Sequence, residues 1–126
     1  MYTILIVDDE RPAQTFLKAI CQKYCPAFDT ILLSGSADDA LRLMAQQHVH
    51  VLVTDISMPG INGIELAQRV RQLYPRTHTV IVSGYAEFEF ARGAIQAGVD
   101  DYLLKPVEIQ SFRQILDRIR ETLDAE

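Results

Sequence analysis

An open, parallel α/β sheet covered by helices on both faces is the fold class this sequence predicts, and three observations predict it. Short apolar runs of strand length recur along the chain: Ile4-Leu5-Ile6-Val7, Val51-Leu52-Val53, Val80-Ile81-Val82 and Tyr102-Leu103-Leu104, with a weaker one near residue 31. Between them lie stretches with apolar residues at helical spacing. The strong runs end at polar residues of a narrow set: Asp8, Asp9 and Glu10, then Thr54 and Asp55, then Ser83, then Lys105. Strands read as near-continuous apolar runs when both faces of a parallel sheet are covered. Ligands of such sheets bind outside the carboxyl ends of the strands, so two carboxylates, a carboxylate, a hydroxyl and a lysine describe one site.

Each element has its own signal. After the first strand, Pro12 suits the opening turn of a helix running to about residue 24, and Pro26 stops it. Residues 28–33 form a second strand. Gly35-Ser36 turns the chain, and Ser36 caps a helix reaching about residue 47, with Asp39 at the position that answers a capping serine. The third strand spans about residues 49–54. Asn62, with Glu65 three positions on, caps a third helix carrying Ile64, Leu66, Ala67, Val70 and Leu73, which Pro75 ends. Strand four covers residues 78–82, and helix four residues 86–97 with Gly98 as its stop. Strand five is short, at residues 102–104. The last helix, about 109–123, aligns Phe112, Ile115, Leu116, Ile119 and Leu123 on one face.

Composition narrows the class. The chain has 126 residues, 48% hydrophobic and 23% charged, which fits one soluble globular domain. No stretch nears the ~18 apolar residues of a membrane span. The first apolar run follows Met1-Tyr2-Thr3 directly, without a secretory signal, so a cytoplasmic location is expected. A net charge of -5 argues against a nucleic-acid surface on this chain, since phosphate backbones demand clustered Lys and Arg. Cys21 and Cys25, four apart in a helix, match neither a redox pair nor a zinc knuckle and are expected to be packed, reduced thiols. His48, His50 and His78 lack ligand partners at useful spacing.

Spacing alone leaves the strand order open. If strands one and three are neighbours, their backbones lie ~4.8 Å apart. Asp8, Asp9 and Asp55 then converge at one end. Such carboxylates repel unless a proton or a hard cation such as Mg2+ neutralises them.

Four motifs carry a resemblance: Leu5-Ile6-Val7-Asp8-Asp9-Glu10, Thr54-Asp55-Ile56-Ser57-Met58-Pro59-Gly60-Ile61-Asn62-Gly63, Ser83-Gly84-Tyr85, and Asp101-Tyr102-Leu103-Leu104-Lys105-Pro106. In this order, each at a strand end, they resemble the receiver domain of the two-component response regulators, over essentially the whole chain. The resemblance implies a flavodoxin-like doubly wound (βα)5 sandwich with a five-stranded parallel sheet in the order 2-1-3-4-5. It implies that Asp55 takes a phosphoryl group from a phosphohistidine on a sensor histidine kinase. Asp9, Asp55 and the Ser57 carbonyl would hold Mg2+, with Asp8 acting nearby through water. Lys105 would pair with the phosphoryl oxygens and Ser83 would donate a hydrogen bond to one. A cis Lys105–Pro106 bond is implied as well. The protein would catalyse its own phosphorylation and dephosphorylation without being a conventional turnover enzyme.

Further expectations follow from the same resemblance. Ser83 and Tyr102 would act as the switch, changing the face of helix four, strand five and helix five, through which phosphorylated receivers can pair as homodimers. Tyr102 as plain core and Tyr102 as switch both remain open. The charged residues Glu87, Glu89, Arg92, Arg113, Arg118 and Arg120 fit a solvated face as well as a partner face. Asp100 and Asp101 read as a solvated strand entry. Ser57 and Tyr85 would overhang the phosphoryl group and tune its lifetime, with Tyr85 shielding giving slow self-dephosphorylation. Ser83-Gly84-Tyr85-Ala86-Glu87-Phe88 and the segment 98–106 resemble AraC-type bacterial transcriptional response regulators, which carry a DNA-binding module after the receiver. A stand-alone phosphorelay receiver is the alternative. Two other classes fit less well: an FMN binder needs a cradle where Asp8-Asp9-Glu10 would repel phosphate, and a Mg2+-dependent phosphohydrolase needs a cap or substrate domain.

Overall fold

The computed structural model describes residues 1–84 and 88–126, residues 88–90 by backbone alone. Five strands alternate with five helices: β1 (Thr3–Val7), α1 (Arg11–Tyr24), β2 (Thr30–Ser34), α2 (Ala37–Gln46), β3 (Val51–Thr54), α3 (Gly63–Leu73), β4 (His78–Ser83), α4 (Phe88–Gln96), β5 (Asp101–Leu104) and α5 (Ile109–Ala125). The strands form one parallel sheet in the order β2-β1-β3-β4-β5, as the resemblance implied. Val7 lies opposite Thr54 and Ser34, and Ser83 opposite Leu104. Asp8, Asp55 and Lys105, each one residue past its strand, therefore leave the sheet at one edge.

Strand alternation decides which helices each side chain meets. Ile4, Ile6, Val51, Val53, Val80 and Val82 pack with α1 and α5, through Leu17, Ile20, Phe112, Leu116 and Ile119. Leu5, Val7 and Leu52 turn to the other face and meet Ala40, Met44, Leu66 and Val70 of α2 and α3. Ile81 faces the same way, among Ile56, Ala67, Ala94 and Ala97. All five residues expected on the apolar face of α5 are buried. Each fully buried Leu, Ile or Phe contributes about 1.5–3 kcal/mol, so sandwiching the sheet on both sides is what holds the strand ends in register.

The caps agree with the sequence, with one difference. Ser36 and Asn62 accept the N–H groups of Asp39 and Glu65 at 3.2 and 2.9 Å. The reciprocal bond of a capping box is replaced at Ser36, whose N–H goes to Ser34 Oγ at 3.4 Å while the Asp39 carboxylate takes Arg42. β2 begins at Thr30 rather than 28, because the Phe28 N–H closes a turn on the Cys25 carbonyl at 3.0 Å. β3 begins at Val51, since the Val49 carbonyl accepts the Thr77 hydroxyl at 2.8 Å. Gly98, at φ 76°, ends α4 in the left-handed region expected of a stop. The expected start of helix four at 86 lies outside the described residues.

Polar residues away from the strand ends serve the frame. His50 Nδ1 accepts the Thr3 N–H at 2.9 Å and its ring stands edge-on to Tyr2 and His48, which leaves it a structural imidazole. Burial and the neighbouring His48 charge push its pKa down. Asp100 is more than a solvated strand entry: it accepts the Thr79 N–H at 2.7 Å and lies 3.1 Å from His78 Nδ1. Asp101 accepts from Arg118 at 2.8 Å.

Cys21 and Cys25 are both free and buried. Burial, then the neighbouring Cys25, pushes the Cys21 thiol up to about 12. An unfolded thiol ionises near ~8.5, so this contribution to stability is complete below that pH and is lost as pH rises toward the folded value. Urea midpoints should fall above about pH 8.5, and fall less in Cys21→Ala once its own lower baseline is subtracted. In the native protein at neutral pH both thiols should react with a thiol reagent far more slowly than after unfolding.

Candidate functional site

The edge where the strands end brings together Asp8, Asp55 and Lys105. Asp8 is 2% exposed; its N–H donates to the Ser34 carbonyl at 3.0 Å, and its Oδ1 accepts the Glu10 N–H at 2.9 Å. Asp55 is 7% exposed; its N–H donates to the Val7 carbonyl at 3.0 Å, and its Oδ1 accepts the Ile56 N–H at 2.7 Å. Both second carboxylate oxygens face one ammonium. Lys105 Nζ donates to Asp8 Oδ2 at 2.8 Å and to Asp55 Oδ2 at 3.2 Å. The Lys105 N–H donates to the Ser83 carbonyl at 2.8 Å, and the Lys105–Pro106 bond is cis, as the resemblance implied.

Burial alone would lower the Lys105 pKa, but its hydrogen bond to Asp8 and the charges of Asp55 and Asp8 outweigh it and raise it. A lysine raised in this way stabilises the fold fully below its unfolded value of about 10.4 and loses the contribution only as pH climbs through the higher folded value. The ammonium therefore stays in place across the neutral range. This refines the expectation of three mutually repelling carboxylates: Asp8 and Asp55 already share a cation.

The uncompensated charge sits further out. Asp9 and Glu10 are exposed, and their carboxylate oxygens and that of Asp8 lie within 4.8 Å of one another. Glu10, the third residue of the acidic run, joins this group although the resemblance implies no role for it. For Mg2+, the donor set fits: hard oxygen ligands, an exposed Asp9 open to water, and Asp55 one strand away, matching an ion that keeps several waters beside one or two carboxylates. Ser57 is exposed on the loop after Asp55. Ser83 is fully buried at the end of β4. Tyr102 is half-buried opposite Ile81, against the cluster around Ile56 and Ala94. Tyr85 lies outside the described residues.

Two site-building residues carried no chemistry in the sequence. The Gly63 N–H donates to the Ile56 carbonyl at 2.9 Å, and a Cβ there would stand 1.9 Å from the Asp55 carbonyl oxygen. The start of α3 thus presses on the backbone of Asp55. Gln14 is the other: its Nε2 donates to the carbonyls of Asp8 and Ser34 at 2.7 and 3.0 Å.

Removing the shared cation should be costly. In Lys105→Met, two buried carboxylates lose their partner, and a loss of about 1–3 kcal/mol is expected, toward the lower end because Lys105 is 28% exposed. Thermal midpoints should show the loss, and added Mg2+ should recover more stability in this variant than in wild type, because the carboxylates then lack any other counter-charge.

Known proteins place this geometry. The family model described as "Response regulator receiver domain" matches residues 4–117. The transcriptional regulatory protein HptR of Staphylococcus aureus (strain NCTC 8325 / PS 47) is 37% identical over 123 residues, covering 98% of this chain and 48% of HptR. The uncharacterized transcriptional regulatory protein YesN of Bacillus subtilis (strain 168) is 33% identical over 119 residues, covering 94% of this chain and 32% of YesN. The chain thus spans a third to a half of the length of these curated relatives. Among solved structures, a two component transcriptional regulator AraC from Clostridium phytofermentans ISDg is 29% identical with a TM-score of 0.81, covering 98% of this chain and 94% of that one. From the first strand into the last helix, sequence, sheet order and family model agree, and the chain belongs to the response regulator receiver domains of two-component systems.

Proposed function

We propose that this domain is a phosphorylation-dependent switch in which Asp55 accepts a phosphoryl group from the phosphohistidine of a sensor histidine kinase. The observation that carries the reading is Lys105 Nζ held between Asp8 Oδ2 and Asp55 Oδ2 at the sheet edge. Asp55 Oδ1 is tied to the Ile56 N–H, so Oδ2 is the oxygen that attacks phosphorus in line. The new O–P bond forms as the P–N bond to the histidine breaks, and the imidazole nitrogen keeps the electron pair. Lys105 then follows the phosphoryl oxygens, and the Ser83 hydroxyl turns to donate to one of them. Asp8, Asp9, Asp55 and the Ser57 carbonyl would hold Mg2+, whose charge would offset that of the phosphoryl oxygens. Positioning and charge compensation are most of what phosphoryl transfer requires.

The output follows from the β5 edge of the sheet. Movement of Ser83 toward the phosphoryl group opens space for the Tyr102 ring and biases the α4-β5-α5 face. Ile95 on α4 and Leu104 on β5 are exposed there, at 77% and 47%, which supports pairing of two copies on phosphorylation. The names of the curated relatives support a transcriptional output, delivered through a DNA-binding module outside this chain. Among the described residues no helix is long and apolar enough to cross a membrane.

Incubation with a small phosphodonor and Mg2+, followed by intact-mass measurement, tests the reading. One long-lived phosphoryl adduct per chain, absent when Mg2+ is chelated, is the expected result. Continuous phosphate release from excess donor without an adduct would point to a phosphohydrolase instead.

A further inference from the structure

Asp9 is the exposed carboxylate of the acidic group, and among the described residues it has no hydrogen-bond partner for its side chain. Its position is set by the backbone on either side. The Asp8 N–H is held by the Ser34 carbonyl, the Glu10 N–H by Asp8 Oδ1, and the Glu10 carbonyl accepts the Gln14 N–H at 3.3 Å. Among the described residues, the carbonyl of the peptide that leads into Asp9 is held by one side chain. That side chain is Gln14, whose amide nitrogen donates its two hydrogens to Asp8 O at 2.7 Å and Ser34 O at 3.0 Å.

The two bonds extend the pairing of β1 and β2 past their last residues. The last bond of the β1–β2 ladder is the Asp8 N–H on the Ser34 carbonyl, and beyond it the Asp8 carbonyl takes its hydrogen bond from Gln14. A cavity of about 580 Å3 lies beside it, lined by Asp9, Arg11, Gln14, Ser34 and Asp39 among others, so solvent would take up those carbonyls if the amide were absent. A rotation of this peptide would move the Asp9 carboxylate relative to that of Asp8, whose oxygens now lie within 4.8 Å of it. Lys105, by contrast, touches Asp8 and Asp55 but not Asp9.

We infer that Gln14 is a positioning residue for the cation: by clamping the carbonyls of Asp8 and Ser34, it holds the Asp9 carboxylate beside that of Asp8, where the two can face one Mg2+. The inference rests on the proposed function for the presence of Mg2+, and goes beyond it by naming what sets the affinity. Groups that orient a metal ligand typically govern affinity by 10–100-fold. The two bonds sit at the rim of the sheet, outside the apolar packing that holds β1 and β2, so the fold itself should depend on them little.

The test uses Gln14→Met, which keeps the side-chain length and removes both donors, and Gln14→Arg, which restores N–H donors to the same carbonyls. Mg2+ titration followed by backbone amide NMR gives the affinity, and thermal midpoints without Mg2+ give the intrinsic stability. Gln14→Met should bind Mg2+ roughly tenfold more weakly with a nearly unchanged metal-free midpoint, and Gln14→Arg should recover most of the affinity. Adduct yield at saturating Mg2+ should match wild type in both, separating affinity from chemistry. Unchanged Mg2+ affinity in Gln14→Met, with wild type forming its adduct normally, would overturn the inference and leave the proposed function standing. Loss of folding in Gln14→Met would overturn it too, by making the clamp a structural tie. Absence of Mg2+ binding in wild type would overturn both.

Discussion

Asp55→Asn should take the phosphoryl adduct from about one per chain to none while leaving the fold in place. An amide is a far poorer nucleophile than a carboxylate, and the neighbouring Asp8 carboxylate is held by the Glu10 N–H and Lys105. The asparagine oxygen can still accept the Ile56 N–H, and Lys105 still has Asp8 Oδ2 as a partner. The Asn nitrogen would meet Lys105 donor to donor, so a stability loss of about 1 kcal/mol is expected, along with a smaller Mg2+-dependent rise in thermal midpoint. Circular dichroism and thermal unfolding check the fold, and intact mass after phosphodonor treatment checks the adduct. An adduct at wild-type yield on the variant would remove Asp55 from its role.

Gly63→Ala should damage both stability and phosphorylation although Gly63 contributes no chemistry. Its Cβ would lie 1.9 Å from the Asp55 carbonyl oxygen and 2.7 Å from the carbonyl carbon, both backbone atoms that cannot rotate aside. Overpacking of this kind costs about 1–3 kcal/mol and sometimes more. The relief must come from moving either α3 or Asp55. A displacement of about 1 Å at a reacting group can cost on the order of a hundredfold in rate. Gly35→Ala is the control, since nothing lies within 4 Å of its added Cβ, and it should stay within about 0.5 kcal/mol of wild type. Urea midpoints and adduct formation rates, measured on both variants, separate a local push on Asp55 from a general intolerance of alanine.

Much of this molecule could be read before its structure because its signals are local. Apolar runs ending at Asp8, Asp55, Ser83 and Lys105 fix both the strands and the residues that leave them. The five buried positions of α5 follow from helical period alone. Boundaries were less legible where a side chain or turn intercepts the backbone: Phe28 closes a turn, and the Val49 carbonyl is taken by Thr77. Non-local relations stayed hidden for a different reason. That Lys105 bridges Asp8 and Asp55 depends on strand order, which spacing leaves open. That Gly63 touches the Asp55 backbone depends on how the intervening loop returns. Gln14 gave no signal because a glutamine in a helix is ordinarily a solvated residue, and only the meeting of β1 and β2 carbonyls beneath it gives it work.

The proposed phosphoacceptor is the carboxylate next to Lys105 at the end of β3, Asp55. The most direct measurement is to phosphorylate the protein with a small donor and Mg2+, reduce the acyl phosphate with borohydride so that the modified aspartate is permanently marked, and map it by peptide mass spectrometry. One mark is expected, at Asp55, lost when Mg2+ is chelated. A mark at Asp8 or Asp9, or on a histidine or serine, with Asp55 unmodified would contradict it.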